Sequence, residues 1–151
     1  MMHDDLLDIA VHLAQLEKGK PRQTSLGRAV SSAYYAIFHA LAALCANRLV
    51  GNSSSWDYYV PIYRMLEHGR TKDVFKRISA QRGPRIATIG QTFILLQEDR
   101  HVADYDPAPF RFGRSETLDL IEQVRQAITM INTLNNDERS FIATQLIART
   151  R

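Results

Sequence analysis

The chain has 151 residues, enough for one domain with a full hydrophobic core, and its 45% hydrophobic and 23% charged content is ordinary for a globular protein. No apolar run reaches the roughly 20 residues of a membrane span. The single cysteine, Cys45, excludes an internal disulfide and a cysteine-based zinc site, and the net charge of +3 is a mild excess.

The pattern predicts helices throughout, with no strand-like alternation and no hairpin signal. Asp5 to Glu17 is amphipathic, with Leu6, Ile9, Leu13 and Leu16 on one side, and Gly19-Lys20-Pro21 ends it. A long helix follows from Thr24 or Ser25, as cap, to Arg48, and stops at the turn Gly51-Asn52-Ser53-Ser54-Ser55. Asp57 to Glu67 reads as a short helix in which Pro61 is tolerable only in the first turn, with Gly69 as breaker. Asp73 to Ser79 adds a turn or two. Pro84 opens the next long helix, which runs to Asp104 and is stopped by Pro107 and Pro109. Ser115 caps a helix to Leu134, with Leu118, Ile121, Val124, Ile128 and Ile131 inward. Asp137 to Arg149 is a final amphipathic helix.

Four to five substantial helices with short connections predict an all-α fold, an antiparallel up-and-down bundle. It forms one domain over 1–151, with a core from 5 to 134 and a short C-terminal helix at 137–149. The second helix is apolar on nearly every side between Ala29 and Leu49, so it is expected at the centre, with Tyr34, Ile37, Leu41, Leu44 and Cys45 in the core.

Two helices carry polar groups on sides that should face inward. On the central one, Arg28, Ser31, Tyr35 and Phe38 form one row, and Ser32, Tyr35 and His39 another. On the long helix opened by Pro84, Ile86, Ile89, Phe93 and Leu96 recur at helical steps, and the next step lands on Arg100, then Ala103. An arginine aimed at a core must meet a partner, because an unpaired buried charge is very costly. Asp104, one turn on, is such a partner. Bonds from this pair to the Tyr35 hydroxyl or Ser31 would satisfy Arg100 without any ligand.

The run Arg28-Ala29-Val30-Ser31-Ser32-Ala33-Tyr34-Tyr35-Ala36-Ile37-Phe38-His39-Ala40, followed by Arg100-His101-Val102-Ala103-Asp104-Tyr105, resembles the HEPN superfamily. The name stands for higher eukaryote and prokaryote nucleotide-binding domain, and the resemblance is to its small bacterial stand-alone members. They share an arginine before a Tyr-Tyr-Ala-x-Phe-His helix and an Arg-x-x-Ala-Asp-Tyr helix end. The resemblance implies a helical bundle, commonly a homodimer, in a stress, defence or toxin–antitoxin setting. Many relatives are metal-independent ribonucleases that use an arginine followed, after four to six residues, by a histidine. Here Tyr105, Asp106 and Pro107 stand where that histidine would be, and Arg64 and His68 lie outside the matching helix. Tyrosine titrates near 10, so Tyr105 is a poor general base at neutral pH.

The resemblance therefore implies a non-catalytic binding module for RNA, a nucleotide or a partner protein, with Arg28, Ser31, Tyr35, Asp104 and Tyr105 as ligand-binding residues. One alternative is a metal-independent endoribonuclease using Arg100 for phosphate charge and His39 or His101 as proton carrier. Another is a purely structural interaction subunit. His101 points about 100° away from Arg100 around the helix.

Arg70, Lys72, Lys76, Arg77, Arg82 and Arg85 form a basic segment opposed by Asp73 alone, with Arg111 and Arg114 beyond it. It is either a site for phosphate backbones or a solvated basic face. Trp56, Tyr58, Tyr59 and Tyr63 either pack the short helix onto the bundle or form a partner surface. Glu98-x-x-His101 occurs once, too few copies for a helical iron site, so no metal or other cofactor is expected. The opening Met-Met-His-Asp-Asp lacks the basic start and apolar stretch of a secretion signal, and a cytoplasmic, membrane-free setting is expected.

Overall fold

The computed structural model describes residues 1–51, 55–107 and 112–149. Among them are seven helices and no strand: α1 (Met2–Ala14), α2 (Gln23–Leu49), α3 (Trp56–Tyr63), α4 (His68–Ile78), α5 (Pro84–Tyr105), α6 (Arg114–Thr133) and α7 (Asn136–Ile147). The expected turn residues 52–54, together with Pro109 and Arg111, lie outside the described residues.

Helix α2 is the axis of the fold and packs against α1, α3, α5, α6 and α7. By length and a mean hydropathy of 1.5 it would be apolar enough to cross a membrane, a property the sequence reading did not credit to any segment. Other helices bury 83% of that apolar window, so here it is a core helix. Tyr34, Ile37, Leu41 and Cys45 are fully buried, and they meet Phe75, Ile86, Ile89, Phe93, Leu96, Ile121 and Ile142 in one continuous core.

Small residues set how closely the helices approach. Helix α1 buries Leu7, Ala10 and Ala14, while Ile9 and Leu16 stay about half exposed. Of the expected stripe, Leu6 and Leu13 are partly buried against the core, and Ile9 and Leu16 are not. The alanines permit close contact with α2, and that contact prevails over a bulkier stripe that would hold the helices apart. At Gly27 an added Cβ would make ordinary contact with Ala103 of α5 at 3.6 Å. At Gly90 it would meet Ser79 Oγ at 2.2 Å and Phe75 at 2.9 Å, so α4 and α5 touch there only because the side chain is missing.

Several boundaries differ from the sequence expectation. Helix α4 begins at His68 rather than Asp73, carrying Gly69 in its first turn. The glycine costs about 1 kcal/mol of propensity, and burial of Thr71, Val74, Phe75 and Ile78 outweighs it. Helix α3 keeps Pro61 past its first turn and ends two residues later. Ser25 does not cap α2; its hydroxyl donates to Glu17 Oε1 at 2.7 Å and holds that carboxyl below the usual range. Asn135 and Glu138 close a capping box on α7.

Arginines finish three of the helices at their negative ends. Arg114 donates to Ala14 O, Glu17 O and Gly19 O after α1. Arg139 donates to Asn132 O and Leu134 O at the end of α6. Arg70 donates to the carbonyls of Leu146, Ile147 and Ala148 at the end of α7.

Candidate functional site

Arg100 stands on the last turns of α5 because the apolar row that buries α5 continues through it. Its side chain is only 14% exposed. The guanidinium lies over two rings of α2, 5.1 Å from the Tyr34 centroid and 5.5 Å from Tyr35, and donates to the Tyr35 hydroxyl at 3.3 Å. One turn on, Asp104 Oδ2 lies 3.6 Å from Arg100 Nε, beyond hydrogen-bond length. That nitrogen is buried without a hydrogen-bond partner among the described residues. The Ser31 hydroxyl donates to Asp104 Oδ1 at 2.6 Å. Arg100, Asp104, Ser31 and Tyr35 thus form one network joining α2 to α5.

Two openings flank this network. The first is a groove of about 540 Å³ between the start of α2 and the end of α5. Arg28, Ser31, Tyr35, Asp104 and Tyr105, all expected as ligand contacts, lie on its wall with Gln23, Thr24, Asp106 and Phe112. Gln23 shapes one end by bonding both backbone groups of Phe112, accepting from N at 3.1 Å and donating to O at 2.8 Å. Arg28 is exposed and makes no ion pair or hydrogen bond among the described residues. The first turn of α2 has no acidic residue of its own, and the Glu17 carboxylate lies at it, accepting from Arg22 N at 3.4 Å and from the Ser25 hydroxyl. Tyr105 is 67% exposed, and its ring leans on His101 at 4.8 Å.

The second opening, about 550 Å³, runs between α4 and α5 along Lys72, Asp73, Lys76, Glu98, Arg100 and His101. Lys72 is paired with Glu98 at 3.2 Å, while Lys76 makes no ion pair among the described residues. Next to Glu98, burial and that neighbour's charge raise the Asp99 carboxyl.

The three residues expected as catalytic do not come together. Arg100 and His101 line the α4–α5 cleft. His39 instead faces α3, its Nδ1 2.5 Å from the Tyr63 hydroxyl. Sequence reasoning passed over the imidazole that is nearest in chemistry to Arg100. His68, at the start of α4, stacks on Phe38 at 4.0 Å and shares a 2.5 Å hydrogen bond with the Tyr34 hydroxyl through Nδ1. Burial lowers its pKa, and Arg100 and then His39 push it the same way. The available signal was Tyr34 itself, since a buried phenol needs a polar partner. Burial raises that phenol well above the ordinary value.

The basic segment is largely engaged within the fold. Arg70 holds the end of α7. Arg77 donates to Gln145 at 3.0 Å, and Arg82 pairs with Asp137 at 3.2 Å and covers the Phe141 ring. Arg85 bonds Thr133 and Met130 O and lies 3.6 Å from Glu138. These arginines fasten α7 to the rest of the chain. The aromatic cluster is divided: Tyr59 and Tyr63 are partly buried, whereas Trp56 and Tyr58 are exposed. Among the described residues no three His, Cys, Asp or Glu side chains gather as a metal-binding group.

Comparison with protein-family models, with curated proteins and with solved structures finds no match to this chain.

Proposed function

We propose that this chain is a non-catalytic, HEPN-like binding module that holds single-stranded RNA or a nucleotide in the groove between α2 and α5. The observation that carries the reading is the meeting of Arg28, Ser31, Tyr35, Asp104 and Tyr105 along that groove, from two distant stretches of sequence. The groove offers one of each contact such a ligand uses. The exposed Arg28 guanidinium suits a phosphate. The exposed face of Tyr105 suits a base. The Asp104 carboxylate, fixed by Ser31, suits a ribose hydroxyl or an exocyclic amine. No histidine lines the groove among the described residues, which favours binding over cleavage.

The test is anisotropy of a labelled single-stranded RNA with wild-type protein and Arg28→Ala, in EDTA, over a range of salt. The expected result is an intact RNA, binding weakened about tenfold by the substitution, and a salt slope reduced by about one. Absence of binding to RNA and to mononucleotides by folded protein would sink the reading. Sedimentation of the same samples tests the homodimer that the family resemblance suggests.

A ribonuclease is the second reading, favoured by Arg100 and His101 sharing the α4–α5 cleft with Lys72 and Lys76. Cleavage that survives EDTA and disappears in both Arg100→Ala and His101→Ala would select it.

A further inference from the structure

The corner that joins α3 to α4 is fastened to α2 by two crossed pairs. Tyr63, at the end of α3, meets His39 of α2, and His68, at the start of α4, meets Tyr34 of α2. Each pair is one 2.5 Å hydrogen bond between an imidazole Nδ1 and a phenol. The rings are interleaved as well: Phe38 has His68 stacked on it and His39 against its edge at 5.9 Å. Helix α3 buries no residue fully, and only Ile62 and Tyr63 of it pack, partly buried, against the core.

We propose that these two histidine–tyrosine pairs are an acid-released clasp. Protonation of His39 and His68 frees the α3–α4 corner from α2 and uncovers the aromatic seat of Arg100. The clasp is independent of whether the α2–α5 groove binds RNA.

The charges around the two rings argue for release. His68 faces Tyr34, Tyr35 and His39 from α2 and Arg100 from α5. His39 faces Tyr63 from α3, His3 from α1 and His68 from α4. Helices α6 and α7 contribute no charge acting on either ring among the described residues. The nearby carboxylates are engaged elsewhere: Glu67 with Arg149, Glu98 with Lys72, and Asp4 with the N-terminus and His3. A protonated His68 is therefore a second cation beside Arg100, and a protonated His39 adds a further charge near His68. Stacking on Phe38 offsets part of this cost, but like charges in half-buried surroundings repel and lose hydration. Burial lowers the pKa of both rings, followed for His68 by Arg100 and His39 and for His39 by His3. Groups lowered on folding contribute stability that is complete above the unfolded value near 6.5 and is lost as pH falls through the folded one.

The experiment uses the wild-type chain. Ring-carbon NMR follows each histidine from pH 8 to 5, and hydrogen exchange, corrected for intrinsic pH effects, compares pH 7.5 with 5.5. The expected result is that His39 and His68 titrate at lower pH than histidine in a short peptide. Segment 56–72 then gains exchange about tenfold at the lower pH while α6 does not. A double variant, His39→Gln with His68→Gln, keeps a hydrogen-bonding side chain without the charge and should lose that response. Titration at the peptide value, equal gains in every helix, or a response retained in a folded double variant would each overturn the clasp. If the double variant does not fold, the wild-type titration and exchange decide.

Discussion

Asp104 is gripped on both oxygens, Oδ1 by the Ser31 hydroxyl at 2.6 Å and Oδ2 facing Arg100 Nε at 3.6 Å. The carboxylate therefore ties α2 to α5 directly, and it orients the arginine whose guanidinium lies over Tyr34 and Tyr35. Removing Arg100 or Asp104 leaves the other charged and largely buried. Arg100→Ala is expected to cost about 2 kcal/mol in urea melts. Ser31→Ala is expected to cost about 1 kcal/mol, and the double substitution less than the sum, because both act through Asp104. Strict additivity would show that no network exists.

The two close-approach glycines are expected to behave oppositely. Gly90→Ala forces Cβ into Ser79 and Phe75 and should lower stability by about 1–3 kcal/mol, with α4 exchanging faster. Gly27→Ala meets Ala103 at an ordinary 3.6 Å, and removal of a helical glycine should leave stability unchanged or raise it by up to about 1 kcal/mol. Thermal melts of the two variants side by side make the comparison.

Arg70 reaches three carbonyls at the end of α7. Arg70→Ala should cost about 1–2 kcal/mol and speed amide exchange in α7 before other helices. Arg70→Lys should recover little of this, since a single ammonium does not span three acceptors as a planar fork does. RNA affinity, if it resides in the α2–α5 groove, should be unchanged in both.

Cys45 is fully buried, and burial pushes its thiol up to about 12. A thiol reagent should leave the folded protein unmodified at pH 8, and labelling should follow the unfolded fraction as denaturant is added. Rapid labelling of native protein would show that α2 opens without global unfolding.

The all-helical class was legible because periodicity runs almost unbroken from Leu6 to Leu146. Arg100 was legible too: the row Ile89, Phe93, Leu96 leads to it, and Ser31 and Tyr35 were its natural partners on α2. His68 was not, because Gly69 reads as a break and the contact with Tyr34 crosses from one helix to another. Nor was the fate of the basic segment. A sequence shows the charges of Arg70, Arg82 and Arg85 but not the carbonyls and carboxylates of α6 and α7 that meet them. The buried side of α1 was legible only in part: Leu6 and Leu13 pack against the core as expected, but side-chain bulk marks a stripe, while close helix contact selects small residues such as Ala10 and Ala14.

The one tryptophan, Trp56, stands at the head of α3, 71% exposed and stacked on Tyr59 at 5.2 Å. Its emission is therefore a local signal, already that of an indole in water before the core melts. A fluorescence melting curve of this chain reports the loss of one ring-on-ring contact at the periphery, whereas circular dichroism reports the helices. Where the two curves separate, their gap measures how far α3 detaches ahead of the rest.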